Sequence, residues 1–405
     1  MASTPLDVTN LNKDLMQNYD PRVRGTMDLN KVTAISIETF LTSIVDFEEL
    51  SGKFSFVAYF IIQWQDDRLR WNTSEYNGVN NTSFFQSDVW HPLITPSQSS
   101  DEFKRFGFDW MQVTFVNNGL ANWVPGDLYH STCRPNVRLY PFDTQVCVVV
   151  FMLHGYTNKE IHLRTINSEV NLALYSRHGL WDLQNTRTYV EFKFGTIIEY
   201  HIEFTLKRES QFYVVGLILP IATMGILNLL VFLLPPESGE RVGFSITVLL
   251  ALAVFLTIAS DSLPKTSKPS IPLICVKLYV DMVISSVIML FTVVGLRMYH
   301  KEDRHPVPSC LATFARCCLC MYDKKDTRKR RYEGGEYTEQ SISRNKNGSI
   351  IQNGNEKLHV CDIPATLEDI ITWKDVAKAF DIVFFLLTFI AFALSHTSMI
   401  ALIYS

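Results

Sequence analysis

The chain has 405 residues and a formal net charge of −4 at pH 7, which gives no basis for nucleic-acid binding. Its apolar residues concentrate after residue 210, so the sequence predicts an extramembrane first half and a membrane-spanning second half. No phosphate-binding glycine loop, metal-ligand spacing or nucleophile elbow occurs, so neither an enzyme nor a cofactor or bound metal is expected.

Residues 30 to about 208 form short alternating segments rich in β-branched and aromatic residues, separated by Asn, Gly, Pro and Asp turns. This pattern predicts an antiparallel β-sandwich, preceded by a short amphipathic helix over residues 10–19. Glycosylation sequons agree with an extracellular location, and they begin at Asn72, Asn80 and Asn81. The opening residues lack the basic and apolar regions of a secretory signal, so we expect that signal to have been removed.

Four apolar segments follow, at residues 212–234, 242–258, 271–296 and 376–404, and each approaches the length needed to cross a bilayer. Pro220 removes a backbone donor inside the first segment, so that helix is expected to bend or loosen. Lys277 and Asp281 are four residues apart in the third segment. We predict a structural ion pair that faces the other helices, with an ion site as the alternative.

The link before the fourth segment is long, and its basic run at residues 324–331 places it in the cytoplasm and the sandwich outside. The predicted domains are the sandwich over 1–209, three transmembrane helices over 210–298, a largely disordered loop over 299–365, and an amphipathic helix that continues into the fourth span over 366–405. Four cysteines near this link are expected to be lipidated or reduced rather than metal-bound: Cys310, Cys317, Cys318 and Cys320.

The second apolar segment has polar residues on one helical stripe. At about 100° per residue, one face consists of Glu240, Gly243, Thr247, Leu250, Val254, Ile258 and Asp261. A helix that only spans lipid needs neither the acids nor the hydroxyl, whereas a helix that lines an aqueous pore needs a polar stripe and ion-attracting mouths. A packed bundle helix whose polar groups are satisfied by neighbours is the other interpretation of these residues.

Three motifs in order indicate a family. The segment CRPNVRLYPFDTQVC, from Cys133 to Cys147, resembles the signature loop of the Cys-loop receptors, the pentameric ligand-gated ion channels. WQDDRLRWNTSEYNGV is similar to a sandwich strand of nicotinic acetylcholine receptor subunits, and PPESGERVGFSITVLLALAVF is similar to their pore-lining region. The resemblance covers nearly the whole chain. It implies a Cys133–Cys147 disulfide, worth about 3 kcal/mol for a loop of about 15 residues.

The resemblance further implies a symmetric ring pentamer in the plasma membrane, and a synaptic membrane is one such location. The partners it implies are four further identical or homologous subunits, membrane lipid, permeant cations and a small-molecule agonist. It also implies that the apolar knuckle Tyr140, Pro141 and Phe142 rests on residues 263–272 and transmits motion of the sandwich. Arg208 matches the arginine at the entry to the first span, with Glu48 or Glu49 as its expected partner. A simple interfacial anchor is the alternative for Arg208.

Ion selection follows from the same resemblance. Five copies each of Glu240 and Asp261 would form acidic mouths, and rings of Leu250 and Val254 would form an apolar constriction. Anion-passing relatives usually replace the glutamate and insert Pro-Ala before it. The link PPESGER keeps the glutamate and lacks the insertion, so cations are favoured.

The agonist pocket departs from the nicotinic pattern of electron-rich rings around a quaternary ammonium. Alignment places Tyr59 and His154 where tryptophans are usual, and Ser97 where a tyrosine is usual. The remaining pocket candidates are Tyr156, Tyr189 and Phe194, with Asn122, Trp123 and Val124 on the complementary face. Three interpretations stay open: a pocket for a ligand of another chemistry, a vestigial site in an auxiliary subunit, and a non-conducting binding receptor.

Overall fold

The protein forms two compact units in a computed structural model that describes residues 3–99, 105–261, 263, 271–301, 306–319 and 371–404. The first unit comprises Met1–Ile218 and Ile258–Val276, and the second comprises Leu219–Thr257 and Lys277–Ser405.

The first unit is a β-sandwich preceded by helix α1 (Pro5–Met16). Its strands are β1 (Thr33–Glu48), β2 (Lys53–Gln65), β3 (Asn81–Phe85), β4 (Ile94–Pro96), β5 (Gln112–Val116), β6 (Leu120–Trp123), β7 (Gly126–Thr132), β8 (Thr144–Leu153), β9 (Ile161–Thr165), β10 (Trp181–Lys193) and β11 (Ile197–Arg208). One sheet has the order β3-β5-β6-β2-β1-β9, with β7 also paired to β2, and the other has the order β10-β11-β8-β4. The predicted sandwich is confirmed.

Helix α1 spans Pro5–Met16 and so begins earlier than the predicted residues 10–19. Thr4 and Asp7 form a reciprocal capping box at its start, and Pro5 occupies the first helical position, where a backbone donor is not needed. The start was missed because the amphipathic pattern begins later than the cap.

Strand β2 shows why these segments pair as a sandwich. Every second residue from Phe54 to Trp64 is buried, whereas Tyr59 lies on the opposite, exposed face. Phe60 packs against Phe151 of β8 with ring centroids 5.3 Å apart, in an edge-to-face arrangement. Such aromatic pairs contribute about 0.5–1.5 kcal/mol beyond their buried area, so the two sheets are joined by an aromatic core.

One strand pair departs from the predicted antiparallel arrangement. Strands β1 and β9 run parallel, with Thr33 opposite Ile161. Strands β8 and β9 lie in different sheets, so no hairpin constrains the direction of β9. The disulfide between Cys133 and Cys147 is confirmed, and it joins the end of β7 to β8 and therefore one sheet to the other.

The helices after the sandwich are α2 (Gln211–Leu233), α3 (Arg241–Asp261), α4 (Leu273–Tyr299), α5 (Ser309–Leu319) and α6 (Trp373–Tyr404). Four of them are long and apolar enough to cross a membrane: α2, α3, α4, and α6 over Trp373–Met399. Helix α2 contains a π-helical segment at Val214–Ile218, which ends two residues before Pro220. Proline lacks the backbone donor and clashes with the preceding turn, which accounts for the irregular hydrogen bonding.

The second unit contains a buried ion pair within one helix and a close contact between two helices. Lys277 and Asp281 form an ion pair on α4 and both are buried, as expected for a structural pair. Helices α2 and α6 approach closely at Gly225, where an added Cβ would clash with the Phe392 ring. The predicted disordered loop over 299–365 contains helix α5 in its described part, and most of the rest of that loop, the start of the amphipathic helix and Cys320 lie outside the described residues.

Candidate functional site

Arg208, at the end of β11, lies in a buried cluster of two acids. Its Nε and Nη2 donate to the two carboxylate oxygens of Asp143 at 2.8 and 3.0 Å, and its Nη1 lies 2.5 Å from Oε1 of Glu49. Of the two predicted partners, Glu48 instead accepts from the Ser51 hydroxyl. Asp143 was not named from the sequence, although it directly follows the Tyr140–Phe142 knuckle.

Three aromatic rings surround the same guanidinium. Its central carbon lies 4.3 Å from the centroid of the Trp181 ring, 4.9 Å from Tyr140 and 5.5 Å from Tyr213. Burial alone would lower the pKa of Arg208, but the hydrogen bonds and charges of Asp143 and Glu49 outweigh it and raise that pKa above its usual range. Burial likewise raises the pKa of the Tyr140 hydroxyl. The cluster therefore holds a permanent cation at the end of the sandwich.

The knuckle in the disulfide loop is partly buried. Tyr140 and Pro141 are buried, Phe142 is exposed, and the Tyr140 ring packs against Tyr213 at 5.3 Å. The amide of Leu273, the first residue of α4, donates to the carbonyl of Arg138 in this loop at 3.0 Å. The loop thus contacts the start of a predicted span. Residues 264–270 of the predicted contact lie outside the described part.

The stripe predicted on α3 coincides with an exposed face of the subunit. Leu250 is 63 % exposed, and the other members are also exposed: Glu240, Gly243, Thr247, Val254, Ile258 and Asp261. The opposite side of the same helix is buried at Arg241, Ser245, Val248 and Leu252. The structure therefore separates the stripe from the packed face, and its role in a pore remains a prediction.

Arg241 follows Glu240 in sequence but lies on the buried face. Its guanidinium donates to both carboxylate oxygens of Asp381 on α6, at 3.1 and 3.0 Å, and to the carbonyl oxygens of Phe232 and Leu234 at the end of α2. Its charge is therefore compensated inside the helical unit, away from the stripe. Asp381 lies 140 residues from Arg241 in sequence, so no local pattern indicated the pair.

Two pocket candidates, Tyr189 and Ser97, lie in one cross-strand row of the four-stranded sheet. Tyr189 of β10 is opposite His201 of β11, which is opposite Val150 of β8. The amide of Ser97, just after β4, donates to the Val150 carbonyl at 2.7 Å. Tyr189 and Ser97 are therefore separated by three strand spacings, about 14 Å, on the face that points away from the other sheet.

His154 and Tyr156 lie at the end of β8. Nε2 of His154 is 2.6 Å from the Thr95 hydroxyl, and its amide donates to the Leu93 carbonyl. The Tyr156 hydroxyl accepts from the indole of Trp90 at 3.0 Å. Both residues are half-buried, so each presents part of its ring to solvent.

The other pocket candidates differ in how far their side chains are exposed to solvent. Phe194 is 91 % exposed at the tip of the β10–β11 hairpin, and Tyr59 is exposed on β2, where its ring covers Gly126. Val124 is exposed, and the side-chain oxygen of Asn122 accepts a hydrogen bond from Gln63 on the outward side of the sheet.

The prediction that Trp123 lines the pocket is wrong. Its side chain is wholly buried in the sandwich core, with its indole donating to Gln86, so it offers no surface to a ligand. The strand alternation places it on the opposite face from Asn122. The sequon residues Asn72, Asn80 and Asn81 are all exposed.

Family models match most of the chain. The model described as neurotransmitter-gated ion-channel ligand binding domain matches residues 8–210, and that of the neurotransmitter-gated ion-channel transmembrane region matches residues 217–369. Members of this family are ligand-gated ion channels rather than enzymes, and they assemble as pentamers.

Curated relatives give the same result. The chain is 29 % identical over 340 residues to the acetylcholine receptor subunit beta-type unc-29 of Caenorhabditis elegans, covering 80 % of this chain and 66 % of the relative. It is 28 % identical over 315 residues to the acetylcholine receptor subunit beta of Rattus norvegicus, covering 73 % and 62 %. It thus spans just under two thirds of the length of these relatives. The chain belongs to the neurotransmitter-gated ion-channel family, the Cys-loop receptors, and is a multi-pass protein of the plasma membrane with an extracellular amino-terminal domain.

Proposed function

We propose that this chain is a subunit of a cation-selective pentameric channel, opened by a small molecule that binds to the extracellular sandwich at subunit interfaces. Helix α3 lines the pore in this proposal, with Glu240 at the cytoplasmic mouth and Asp261 at the outer mouth. Rings of Leu250 and Val254 close the pore by excluding water.

The observation that supports the pore most directly is the composition of the exposed face of α3. That face has an acid at each end and the Thr247 hydroxyl between them. The exposed face of α4 differs, because its exposed residues from Val276 to Val294 are all Val, Leu or Tyr, and its one exposed charge, Arg297, lies in its last turn on a long side chain that can reach the membrane interface. An apolar face suits lipid, whereas a face with charged ends is expensive in lipid and suits water. The two faces therefore fit different surroundings.

The ion pair between Arg241 and Asp381 supports cation selectivity of the proposed pore. Glu240 is exposed, and the neighbouring Arg241 is paired with Asp381 on the buried side. The net charge presented at the cytoplasmic end of the stripe is therefore negative. A ring of such charges raises the local cation concentration and repels anions.

Replacement of Glu240 tests this proposal. In Glu240→Ala with a Pro-Ala insertion before it, we expect the cation-to-anion permeability ratio to fall by roughly tenfold or more, because the acidic ring is lost. Reversal potentials measured during dilution of the external salt report this ratio. Glu237→Gln is the matched control, since Glu237 lies in the same link but accepts from the Tyr299 hydroxyl at 2.5 Å. Unchanged reversal potentials in the Glu240 variant, or equal shifts in both, would contradict the proposal.

The proposed agonist is a small amine held by hydrogen bonds as well as by rings. Where acetylcholine receptors use aromatic rings, this chain has the imidazole of His154, which is hydrogen-bonded to Thr95, and the hydroxyl of Ser97. These groups bind donors and acceptors rather than a quaternary ammonium. Tyr59, Tyr156 and Tyr189 supply the remaining ring surface.

A library of small amines applied to cells that express the subunit, with current recording, tests the pocket. For an active amine, His154→Phe should raise the half-activating concentration by roughly tenfold, which is the loss of one hydrogen bond. Thr95→Ala is the control that removes the intrasubunit partner and keeps the imidazole. Correct surface pentamers that give no current with any compound would favour the auxiliary-subunit or non-conducting alternative.

A further inference from the structure

A separate polar cluster lies on the hairpin formed by β10 and β11. Glu191 is directly opposite Glu199, and His201 is two residues further along β11 on the same face. One ligand atom from each of the three residues lies within 4.8 Å of the others, and among the described residues this is the group of His, Cys, Asp and Glu side chains with the spacing of a metal site.

Two members of the cluster are buried although they are ionisable. His201 is 4 % exposed and Glu199 is 7 % exposed, and the ring of Tyr189 stacks on the imidazole with centroids 4.8 Å apart. Nε2 of His201 lies 3.0 Å from Oε2 of Glu199 and 3.4 Å from Oε2 of Glu191. Its other nitrogen, Nδ1, has no hydrogen-bond partner in the described part of the chain. The imidazole therefore directs its one engaged nitrogen at two carboxylates.

This arrangement is unfavourable without a cation. Carboxylates directly opposite on an antiparallel pair repel each other, and burial of one of them increases the cost. The ammonium of Lys193 lies 2.8 Å from Oε2 of Glu199 and offsets part of the repulsion. Lys193 is half-exposed on a flexible stem, so a cation that binds all three ligands can displace it.

We propose that Glu191, Glu199 and His201 bind a divalent transition-metal ion of the zinc class. Zinc binds imidazole nitrogen and carboxylate oxygen at about 2.0–2.2 Å, so tetrahedral geometry separates the ligand atoms by about 3.3 Å. The distances from the imidazole to both carboxylates are already close to that value. Calcium and magnesium prefer a larger set of oxygen ligands and no imidazole, so they fit less well.

The affinity is moderate because the imidazole lacks an outer partner. Most metal-bound histidines donate their second ring nitrogen to an acceptor, and loss of that acceptor costs roughly 10–100-fold in affinity. Nδ1 of His201 has no such acceptor among the described residues. The site thus suits a metal that binds and leaves, rather than one that holds the fold together.

The site also adjoins the proposed pocket. Tyr189 stacks on the metal-binding imidazole, and Glu199 is in a cross-strand row with Met152 and Thr95, the partner of His154. Metal binding would tie β10 to β11 beside these residues, so we expect it to change agonist sensitivity. This last step alone rests on the proposed function.

Zinc titration of the purified full-length protein, by calorimetry, tests the site without any current. We expect about one bound zinc per chain, and Glu191→Gln should weaken binding by roughly tenfold or more because one of three ligands is lost. Lys193→Met should strengthen binding because the competing ammonium is removed. Glu191 and Lys193 are both solvent-accessible, so both variants should fold.

The matched control is Glu203→Gln, which removes the same charge from β11, opposite Arg187 and outside the cluster. Its zinc affinity should stay within about threefold of the unmodified protein. Cobalt can replace zinc and should give the visible absorption of a four-coordinate site in the unmodified protein and a weaker one in Glu191→Gln. Equal zinc affinities in the Glu191 and Glu203 variants, or no zinc binding, would overturn the proposal. Because binding is measured directly, this result is independent of whether the protein conducts.

Discussion

Arg208 and Arg241 are buried arginines from different units, and they are held in different ways. Arg208 in the sandwich unit has two acids, Asp143 and Glu49, and three aromatic rings around it. Arg241 in the helical unit has one acid, Asp381, together with carbonyl oxygens at the end of α2. The first cluster has more carboxylates than cations, whereas the second is matched one to one.

The difference predicts how each cluster tolerates the loss of an acid. Arg208 retains a carboxylate and the faces of its rings if either acid is neutralised. Arg241 retains only neutral carbonyl groups if Asp381 is removed, in an environment of low polarity. A buried charge left without its partner typically costs about 3–5 kcal/mol, so the helical unit should be the more sensitive of the two.

The largest effect is expected for Asp381→Leu. We expect it to destabilise the protein by about 3–5 kcal/mol, because the Arg241 charge loses its only carboxylate partner within the described contacts. Surface biotinylation and the thermal midpoint of the purified protein measure this loss.

The double variant Arg241→Met with Asp381→Leu separates charge from packing. Replacing both partners by apolar side chains of similar size removes the uncompensated charge, so stability should recover relative to Asp381→Leu alone. A double variant as unstable as the single variant would show that the hydrogen bonds from Arg241 to the α2 carbonyls matter more than its charge.

A smaller effect is expected for Asp143→Asn in the sandwich unit. Asp143 binds the guanidinium through two hydrogen bonds and its side chain is buried, so its neutralisation should cost about 1.5–3 kcal/mol. Glu49→Gln should cost below about 1 kcal/mol, because its side chain is partly exposed and contacts one nitrogen. Thermal midpoints of the two variants, measured side by side, give this ranking. The opposite order would mean that Glu49, rather than Asp143, holds Arg208.

Features with a local period were predicted correctly from the sequence. Alternation of buried and exposed residues in β2 indicated a strand, four apolar segments indicated spans, and the spacing of the α3 stripe placed its members on one side of a helix. The disulfide was instead predicted by the resemblance of its loop to the signature loop of a known family. The periodic features depend on residues that are close along the chain, where backbone geometry alone decides which side chains share a face.

Most features that join distant segments appeared only in the tertiary structure; the pairing of Arg208 with Glu49 is the exception, because the family resemblance named Glu48 or Glu49 as its partner. Asp143 lies 65 residues from Arg208, and Asp381 lies 140 residues from Arg241. The parallel pairing of β1 with β9 also depends on a crossing between sheets. The cluster of Glu191, Glu199 and His201 depends on strand register, because a shift of one residue would turn Glu199 to the other face. Register and packing are properties of the assembled fold, so local sequence determined the faces, and the tertiary structure determined which faces meet.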